Sequence, residues 1–359
     1  MRKRIVFILP ALNGGGAEKI VCTLINNLNR EKFEIILLLL KREGRFVDCI
    51  PSDIETIELN KDSLRSGFLP VFFALKRLKP DIVFSSIGSM NLLISVIRPF
   101  FSKKIKFIAR ETNIVSIKNR DEKYPKLFDL MFKTVYKNFD LIIAQSKDMY
   151  DDLVNNFKIP SNKIKIINNP IDIKAVYESC ESDDGFFDES RFNLLAVGSL
   201  SKKKGFDRLL EAFSLVKDKN IFLTIVGEGG ERENLIKLAN KLNIKDRVRF
   251  YGFCKNPYPL MRKADLLVLT SRYEGFPNIV LEANACGLFV LAYECKGGIN
   301  EIIINNLNGL KIRNGDKLAF AKAIERLSKE KFDREKIKRS VYRYDISKIL
   351  EIYEKTLLE

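Results

Sequence analysis

The chain of 359 residues carries 62 Lys and Arg against 46 Asp and Glu, a formal net charge of +16, and 46% of it is hydrophobic. That length exceeds one ordinary core and suits two domains of about 150–200 residues each, and the balance of apolar and charged residues excludes both a disordered chain and a membrane-spanning one. Histidine is absent, which removes Ser-His-Asp and Cys-His catalysis and every histidine-ligated metal site, leaving carboxylates, Lys, Arg, Tyr and backbone dipoles for any chemistry.

The start, Met1-Arg2-Lys3-Arg4 followed by Ile5 to Leu12, imitates the charged and apolar parts of a signal peptide. A polar turn follows instead of a small-residue cleavage pattern, so a buried first strand is expected. Apolar β-rich runs then recur at Ile5–Leu9, Glu34–Leu40, Ile82–Phe84, Lys106–Ala109, Leu141–Ala144 and Lys165–Ile167, with helical periodicity between them. This predicts parallel βαβ units in one doubly wound domain. A second series, Leu194–Val197, Phe222–Val226, Val248–Tyr251, Leu266–Leu269 and Phe289–Ala292, predicts another. Between them the polar stretch Glu178 to Gly185 reads as the junction. The expected division is 1–175, 176–340, and a closing amphipathic helix within 341–359 that packs back on the N-terminal domain. The six cysteines, at 22, 49, 180, 254, 286 and 295, show no C-x-x-C pair, so neither a zinc site nor a disulfide framework is indicated and a reducing cytoplasm fits best.

Three motifs carry chemistry. Asn13-Gly14-Gly15-Gly16-Ala17-Glu18 links the first strand to a helix beginning near Ala17; it lets backbone approach a ligand and offers helix N–H groups to an anion, although a glycine-rich turn without a ligand is the plainer account. Gly198-Ser199-Leu200-Ser201-Lys202-Lys203-Lys204-Gly205 follows the first strand of the second domain and sets three lysines beside a helix beginning near Phe206. Lysine triplets are ordinarily solvated, but a place directly after a strand suits a diphosphate. Ser271 to Ala283 holds Glu274 and Glu282 eight residues apart around Gly275-Phe276-Pro277, with a helix starting near Asn278 and the N–H groups of 278–280 expected to face a ligand.

With these motifs on the page, the chain resembles the family-4 retaining glycosyltransferases of GT-B fold over essentially its whole length: an α/β protein with two Rossmann-like doubly wound parallel-sheet domains facing a cleft. The glycine-rich loop, Asn169-Pro170-Ile171-Asp172, the Gly198 loop, Ile225-Val226-Gly227-Glu228-Gly229, the Glu274-to-Glu282 element and Gly297-Gly298 running to Glu301 occur in the family's order. The resemblance implies that Lys204 neutralises the donor diphosphate, Glu274 reaches sugar hydroxyls and Glu282 bonds the ribose, with Glu274 and Lys204 as the catalytic pair. It further implies a donor set of Gly15, Gly16, Ser199, Lys203, Gly227, Gly275, Phe276, Asn278, Ile279 and Val280. Two departures stand out. Ser199 occupies the place of an expected phosphate-binding arginine, leaving Lys202 or Lys203 to substitute, and the family's N-domain histidine is replaced by the stretch Ala109-Arg110-Glu111-Thr112-Asn113. Arg110, Glu111 and Asn113, with Asn13 and Glu18, are therefore the expected acceptor residues.

The implied reaction is transfer of a hexose or N-acetylhexosamine from a UDP-sugar to a lipid-linked or cell-envelope glycan, with retention and with neither metal nor cofactor. A non-catalytic nucleotide-sugar-binding subunit is the alternative. A nicotinamide-dependent enzyme fails for lack of a dinucleotide fingerprint, and nucleic acid is not an expected partner because no recognisable module supports it. Charge favours anionic partners, with the excess leaning to residues 1–180. The segment Lys61–Pro80, with Phe68, Leu69, Phe72 and Phe73 among Arg65, Lys76, Arg77 and Lys79, and the stretch Arg98 to Lys104 combine aromatic and basic residues. With the N-domain charge excess and the polyprenyl-diphosphate acceptors that the resemblance implies, they predict a peripheral enzyme on anionic lipid at the inner face of the cytoplasmic membrane, against the simpler account in which the phenylalanines pack a helix on its sheet.

Overall fold

The computed structural model describes residues 2–179 and 186–359. Most of the expected junction, with Cys180, lies outside the described residues. The chain forms two compact units, Met1–Pro170 with Ser347–Glu359, and Ile171–Ile346.

The first unit is a seven-stranded sheet of β1 (Lys3–Leu9), β2 (Phe33–Leu39), β3 (Glu55–Glu58), β4 (Ile82–Ser86), β5 (Lys106–Arg110), β6 (Leu141–Ala144) and β7 (Ile164–Ile166), in the order β3-β2-β1-β4-β5-β6-β7. Every pairing is parallel; Ile5 sits beside Ile35 on one side and Ile82 on the other. Both faces are covered, so β1 is apolar throughout rather than alternating. Ile5, Phe7 and Leu9 pack under the helix Gly16–Asn27 and the last helix, Ile346–Leu358, while Val6 and Ile8 pack under Leu64–Leu78 and Gly88–Ile97. The closing helix buries Ile349, Tyr353 and Leu357 in this unit, and the Tyr353 ring lies 6.4 Å from Phe84.

The second unit is a six-stranded parallel sheet of β8 (Phe192–Val197), β9 (Ile221–Val226), β10 (Val248–Gly252), β11 (Leu266–Leu269), β12 (Val290–Glu294) and β13 (Gly309–Arg313), ordered β10-β9-β8-β11-β12-β13. Leu194 and Ala196 face Phe206, Leu209 and Leu210; Leu195 faces the other way, into a cluster with Leu267, Val280 and Leu281.

Sequence periodicity misses β3 and β13. Both are edge strands, and neither Glu55-Thr56-Ile57-Glu58 nor Gly309 to Arg313 carries the doubly buried apolar run that marks the inner strands. The first crossing of the chain comes after Pro170, five residues before the expected limit at 175. The helix Ile173–Glu178 goes with the second unit because Val176 buries there and Ile171 pairs with Tyr344 through its N–H and Ile346 through its carbonyl. The return comes after Ile346, so 341–346 stay with the second unit.

Candidate functional site

In the second unit the candidate residues gather at the C-terminal ends of the strands, where parallel α/β sheets place ligands. β8 ends at Val197, and the chain turns through Gly198 into the three-lysine turn Lys202–Lys204 and the helix Phe206–Phe213. Gly227, after β9, crosses this loop so closely that a Cβ would lie 1.9 Å from the Gly198 oxygen, at φ +143°. Only glycine fits there.

Lys204 Nζ donates to Glu274 Oε1 at 2.7 Å, and Ser271 Oγ donates to the same oxygen at 2.7 Å. Lys203 Nζ lies 3.9 Å from Glu274 Oε2 and 5.0 Å from the centre of the Tyr273 ring. Glu274 is only 4% exposed. Burial pushes its carboxyl up, but Lys204, Lys203 and the Ser271 hydroxyl together outweigh that and hold it below the usual range. Cys295 beside it is pushed up to about 12 by burial and by the Glu274 charge, and so remains a thiol. Arg272 fastens the loop: it grips Asp207 with two bonds of 2.9 and 2.7 Å and donates to the Lys202 carbonyl, while its own N–H reaches the Lys203 carbonyl.

The backbone around Glu274 is clamped. Its N–H donates to Lys296 O, the Gly298 N–H donates to Gly275 O, and a Cβ on Gly297 would meet Glu274 O at 2.0 Å. Phe276 is buried against Gly298 and the Tyr344 ring. The helix Asn278–Ala285 follows, with Asn278 and Ile279 half-exposed and Glu282 in its second turn, 9% exposed. Pro277 precedes this helix as its cap. The Val280 N–H turns back to Pro277 O at 3.0 Å, so of the three N–H groups expected to face a ligand this one is already taken. Ser199 is exposed, its hydroxyl 3.3 Å from that of Ser201. Of the two lysines that stand for the missing arginine, Lys203 reaches Glu274 and Lys202 is exposed.

In the first unit, Asn13, Gly14, Gly15 and Gly16 are exposed after β1, and Gly15 caps the helix Gly16–Asn27. Glu18 folds over Gly15, where a Cβ would lie 2.6 Å from its Oε2, and burial raises its carboxyl. At the end of β5, Arg110 and Glu111 point to opposite faces of the sheet. Arg110 is fully buried and donates to Asn169 Oδ1 at 2.5 Å and Ser86 Oγ at 3.3 Å, close to Tyr353; among the described residues no carboxylate meets it. This inward turn ties β5 to the segment before Pro170. Glu111, 2% exposed, accepts from Tyr136 Oη at 2.6 Å and from the Thr112 N–H at 2.9 Å. Asn91 Nδ2 in turn donates to Tyr136 Oη at 3.0 Å. Burial raises the Glu111 carboxyl in spite of these bonds. Asn113 is half-buried, with Nδ2 on Thr112 Oγ1 at 3.1 Å.

Sequence reasoning misses Ser271, Tyr136 and Asn91. Ser271 is three residues before Glu274 and could be found from that spacing; Tyr136 and Asn91 are distant in sequence from Glu111 and give no local signal. Among the described residues no three His, Cys, Asp or Glu side chains gather in a way that would hold a metal ion.

The aromatic and basic segments of the first unit divide. Leu69, Phe73 and Phe100 are 59–63% exposed, near the exposed Lys76, Arg77, Lys103 and Lys104. Phe68 and Phe72 pack on the core and Phe101 is buried, as the simpler account required. Arg98 is buried in a two-bond pair with Asp140, at 3.0 Å each, and so leaves the basic surface. No helix among the described residues is long and apolar enough to cross a membrane.

Residues 14–175 match the family model described as Glycosyltransferase Family 4, and residues 181–344 match that described as Glycosyl transferases group 1. The chain is 31% identical, over 96% of its length and 99% of the other, to the N-acetylgalactosamine-N,N'-diacetylbacillosaminyl-diphospho-undecaprenol 4-alpha-N-acetylgalactosaminyltransferase of Campylobacter jejuni. A second protein of that organism, a GalNAc-alpha-(1->4)-GalNAc-alpha-(1->3)-diNAcBac-PP-undecaprenol alpha-1,4-N-acetyl-D-galactosaminyltransferase, is 26% identical over 99% of this chain and 98% of its own. Among solved structures, Anabaena Alr3699/HepE in complex with UDP and glucose has a TM-score of 0.82 at 19% identity, with each chain covered in full.

Proposed function

Because the chain belongs to the family-4 glycosyltransferases, we propose that it moves a hexose or N-acetylhexosamine from a UDP-sugar to a lipid-linked glycan, with retention at the anomeric carbon. The observation that carries this reading is the Lys204–Glu274–Ser271 cluster at the ends of β8 and β11. Departure of a nucleoside diphosphate builds negative charge on its bridging oxygen, and an ammonium group held beside that oxygen stabilises the charge more as the bond breaks than before it. Lys204 takes this role, and Lys203, the lysine aimed into the site, supplies the second cation in place of the missing arginine.

Glu274 stays ionised and already accepts two bonds on Oε1, which suits it to hold sugar hydroxyls rather than to attack carbon. Front-face substitution assisted by the leaving phosphate is then the course of the reaction. Gly15, Gly16, Ser199, Gly227, Gly275, Phe276, Asn278, Ile279 and Val280 complete the donor site, with Glu282 on the ribose. Acceptor contacts fall to Asn13, Glu18, Glu111 and Asn113, with Arg110 holding β5 in place beneath them.

The alpha linkage and undecaprenol diphosphate in the names of both Campylobacter relatives favour retention and a lipid-linked acceptor. Such an acceptor is met at a bilayer, and Leu69, Phe73 and Phe100 with their basic neighbours provide a surface for anionic lipid on the cytoplasmic face. Incubation of the purified chain with UDP-N-acetylgalactosamine, UDP-N-acetylglucosamine or UDP-glucose and polyprenyl-diphosphate glycans, followed by NMR of the product, tests the reading. A new alpha linkage is expected; a beta linkage, or transfer only from a non-uridine donor, overturns it.

A further inference from the structure

The second unit holds a polar pocket of about 390 Å³ that the transfer reaction does not use. It is lined from Asp188, Arg191 and Asn193 at the start of β8, from Phe222 to Thr224 on β9, and from Asp246 to Phe250 on β10. Lys204 and Glu274 lie at the other ends of the strands, so one strand length, about 17–20 Å for six residues, separates pocket and donor loop. Its volume is within the ordinary range for small-ligand sites, about 300–1,000 Å³.

Three arginines converge on it. Arg191 lies over the Phe222 ring, its Cζ 3.9 Å from the ring centre, and is paired with Asp188 at 2.8 Å. Arg249 lies over the Phe186 ring at 4.8 Å. Arg247 is only 9% exposed, stacks on Phe213 at 4.8 Å, and donates to the carbonyls of Asp218 and Val216 at 3.0 and 3.3 Å. Among the described residues neither Arg247 nor Arg249 has a carboxylate oxygen within 4 Å. Arg247 gives both terminal nitrogens to main-chain carbonyls and so contributes charge rather than a fork, whereas Arg249, which makes no hydrogen bond or ion pair among the described residues, and the end of Arg191 away from Asp188 keep N–H groups for an oxyanion. The aromatic faces are already covered by the arginines, so what the pocket offers is N–H edges rather than a stacking platform.

We propose that this pocket is a second anion site, separate from the donor loop, which takes a small phosphate-bearing ligand among Arg191, Arg247 and Arg249. Phosphate suits it better than a lone carboxylate because three oxygens can engage two forks at once.

Calorimetric titration of the full chain with inorganic phosphate and with glucose 6-phosphate, each up to about 10 mM, tests this, since a site of millimolar affinity corresponds to about −4 kcal/mol. Saturable binding is expected in the unaltered chain and in Lys204→Ala, which damages only the donor loop. Arg249→Ala, at an exposed position, should weaken it at least about tenfold while the melting temperature without ligand is unchanged, and Arg191→Ala should do the same. Preference for glucose 6-phosphate over phosphate marks a monoester as the ligand; equal binding marks the free ion. The proposal is overturned by binding that survives both arginine changes, by binding that vanishes with Lys204→Ala, or by no saturable binding at all.

Discussion

Replacing Lys204 by Met tests the electrostatics of the donor site without any substrate. The change keeps the length of the stem, which is 20% exposed, and deletes the ammonium group 2.7 Å from a Glu274 carboxylate that is only 5% exposed. Breaking a buried ion pair by removing one partner costs about 3–5 kcal/mol. Here Lys203 at 3.9 Å and the Ser271 hydroxyl remain as partial compensation, so a loss of about 1–3 kcal/mol is expected, in the range of one unsatisfied buried charged group. The sign with pH is definite. In the unaltered chain the Glu274 carboxyl is held low, so its stabilisation is present above the unfolded pKa and disappears as pH falls through the folded one. In Lys204→Met burial dominates and the carboxyl rises, so the penalty is largest at neutral pH and shrinks on acidification towards the unfolded pKa. Glu274→Gln in the Lys204→Met background removes the stranded charge and should recover most of the loss. Urea unfolding of the four proteins of this cycle at pH 7.5 and pH 5, followed by a probe in the second unit, gives the coupling. A double variant no more stable than Lys204→Met, together with a penalty that does not change with pH, would refute the reasoning.

Glu282→Ala should weaken UDP binding by about 10–100-fold, the loss of a charge-assisted bond of about 1.5–3 kcal/mol, while Glu274→Ala mainly lowers kcat; calorimetry with UDP beside steady-state kinetics separates them, and unchanged UDP affinity in Glu282→Ala counts against the ribose contact. Tyr136→Phe deletes the hydroxyl that holds Glu111 and should cost about 1–3 kcal/mol. Because burial raises the Glu111 carboxyl, that cost should be greater at pH 8 than at pH 5, as thermal melts at the two values will read; an unaltered melting temperature at both shows Glu111 has another support. Lys76, Arg77, Lys103 and Lys104 changed together to Glu should release the chain from anionic vesicles at low salt without loss of UDP binding, and raised salt should do the same to the unaltered chain. Equal sedimentation with neutral and anionic vesicles removes the electrostatic part of the membrane surface.

Much of the architecture is legible because the inner strands are buried on both faces. Runs such as Ile142-Ile143-Ala144 and Leu266-Leu267-Val268-Leu269 carry their assignment in composition alone. Edge strands do not, and β3 is missed for the same reason that Glu55 and Glu58 are tolerated in it. The crossing points of the chain are displaced from expectation because single side chains set them: Val176 commits the helix Ile173–Glu178 to the second unit, and no periodicity in six residues announces that. Glu274 and Glu282 are legible since one short motif contains both. The Lys204–Glu274 contact is not, because it joins loops 70 residues apart that meet only when β8 and β11 become neighbours. Arg110 shows the opposite hazard. The resemblance sets it beside Glu111 in one stretch, and the sequence does not announce that alternation along the strand sends the two to opposite faces and buries the guanidinium against Ser86 and Asn169.

The chain leaves the first unit after Pro170 and comes back to it after Ile346, which makes the second unit an insertion within the first. A ribosome therefore completes the second unit while the first still lacks Ile349, Tyr353 and Leu357 beside Phe84. The interrupted unit is complete only once Ser347–Glu359 is in place against it. A chimera that exchanges the second unit must accordingly be spliced at two seams, near 170 and near 346. One built with a single seam would carry a foreign closing helix onto a sheet not shaped for it, and its failure would say nothing about the sugar.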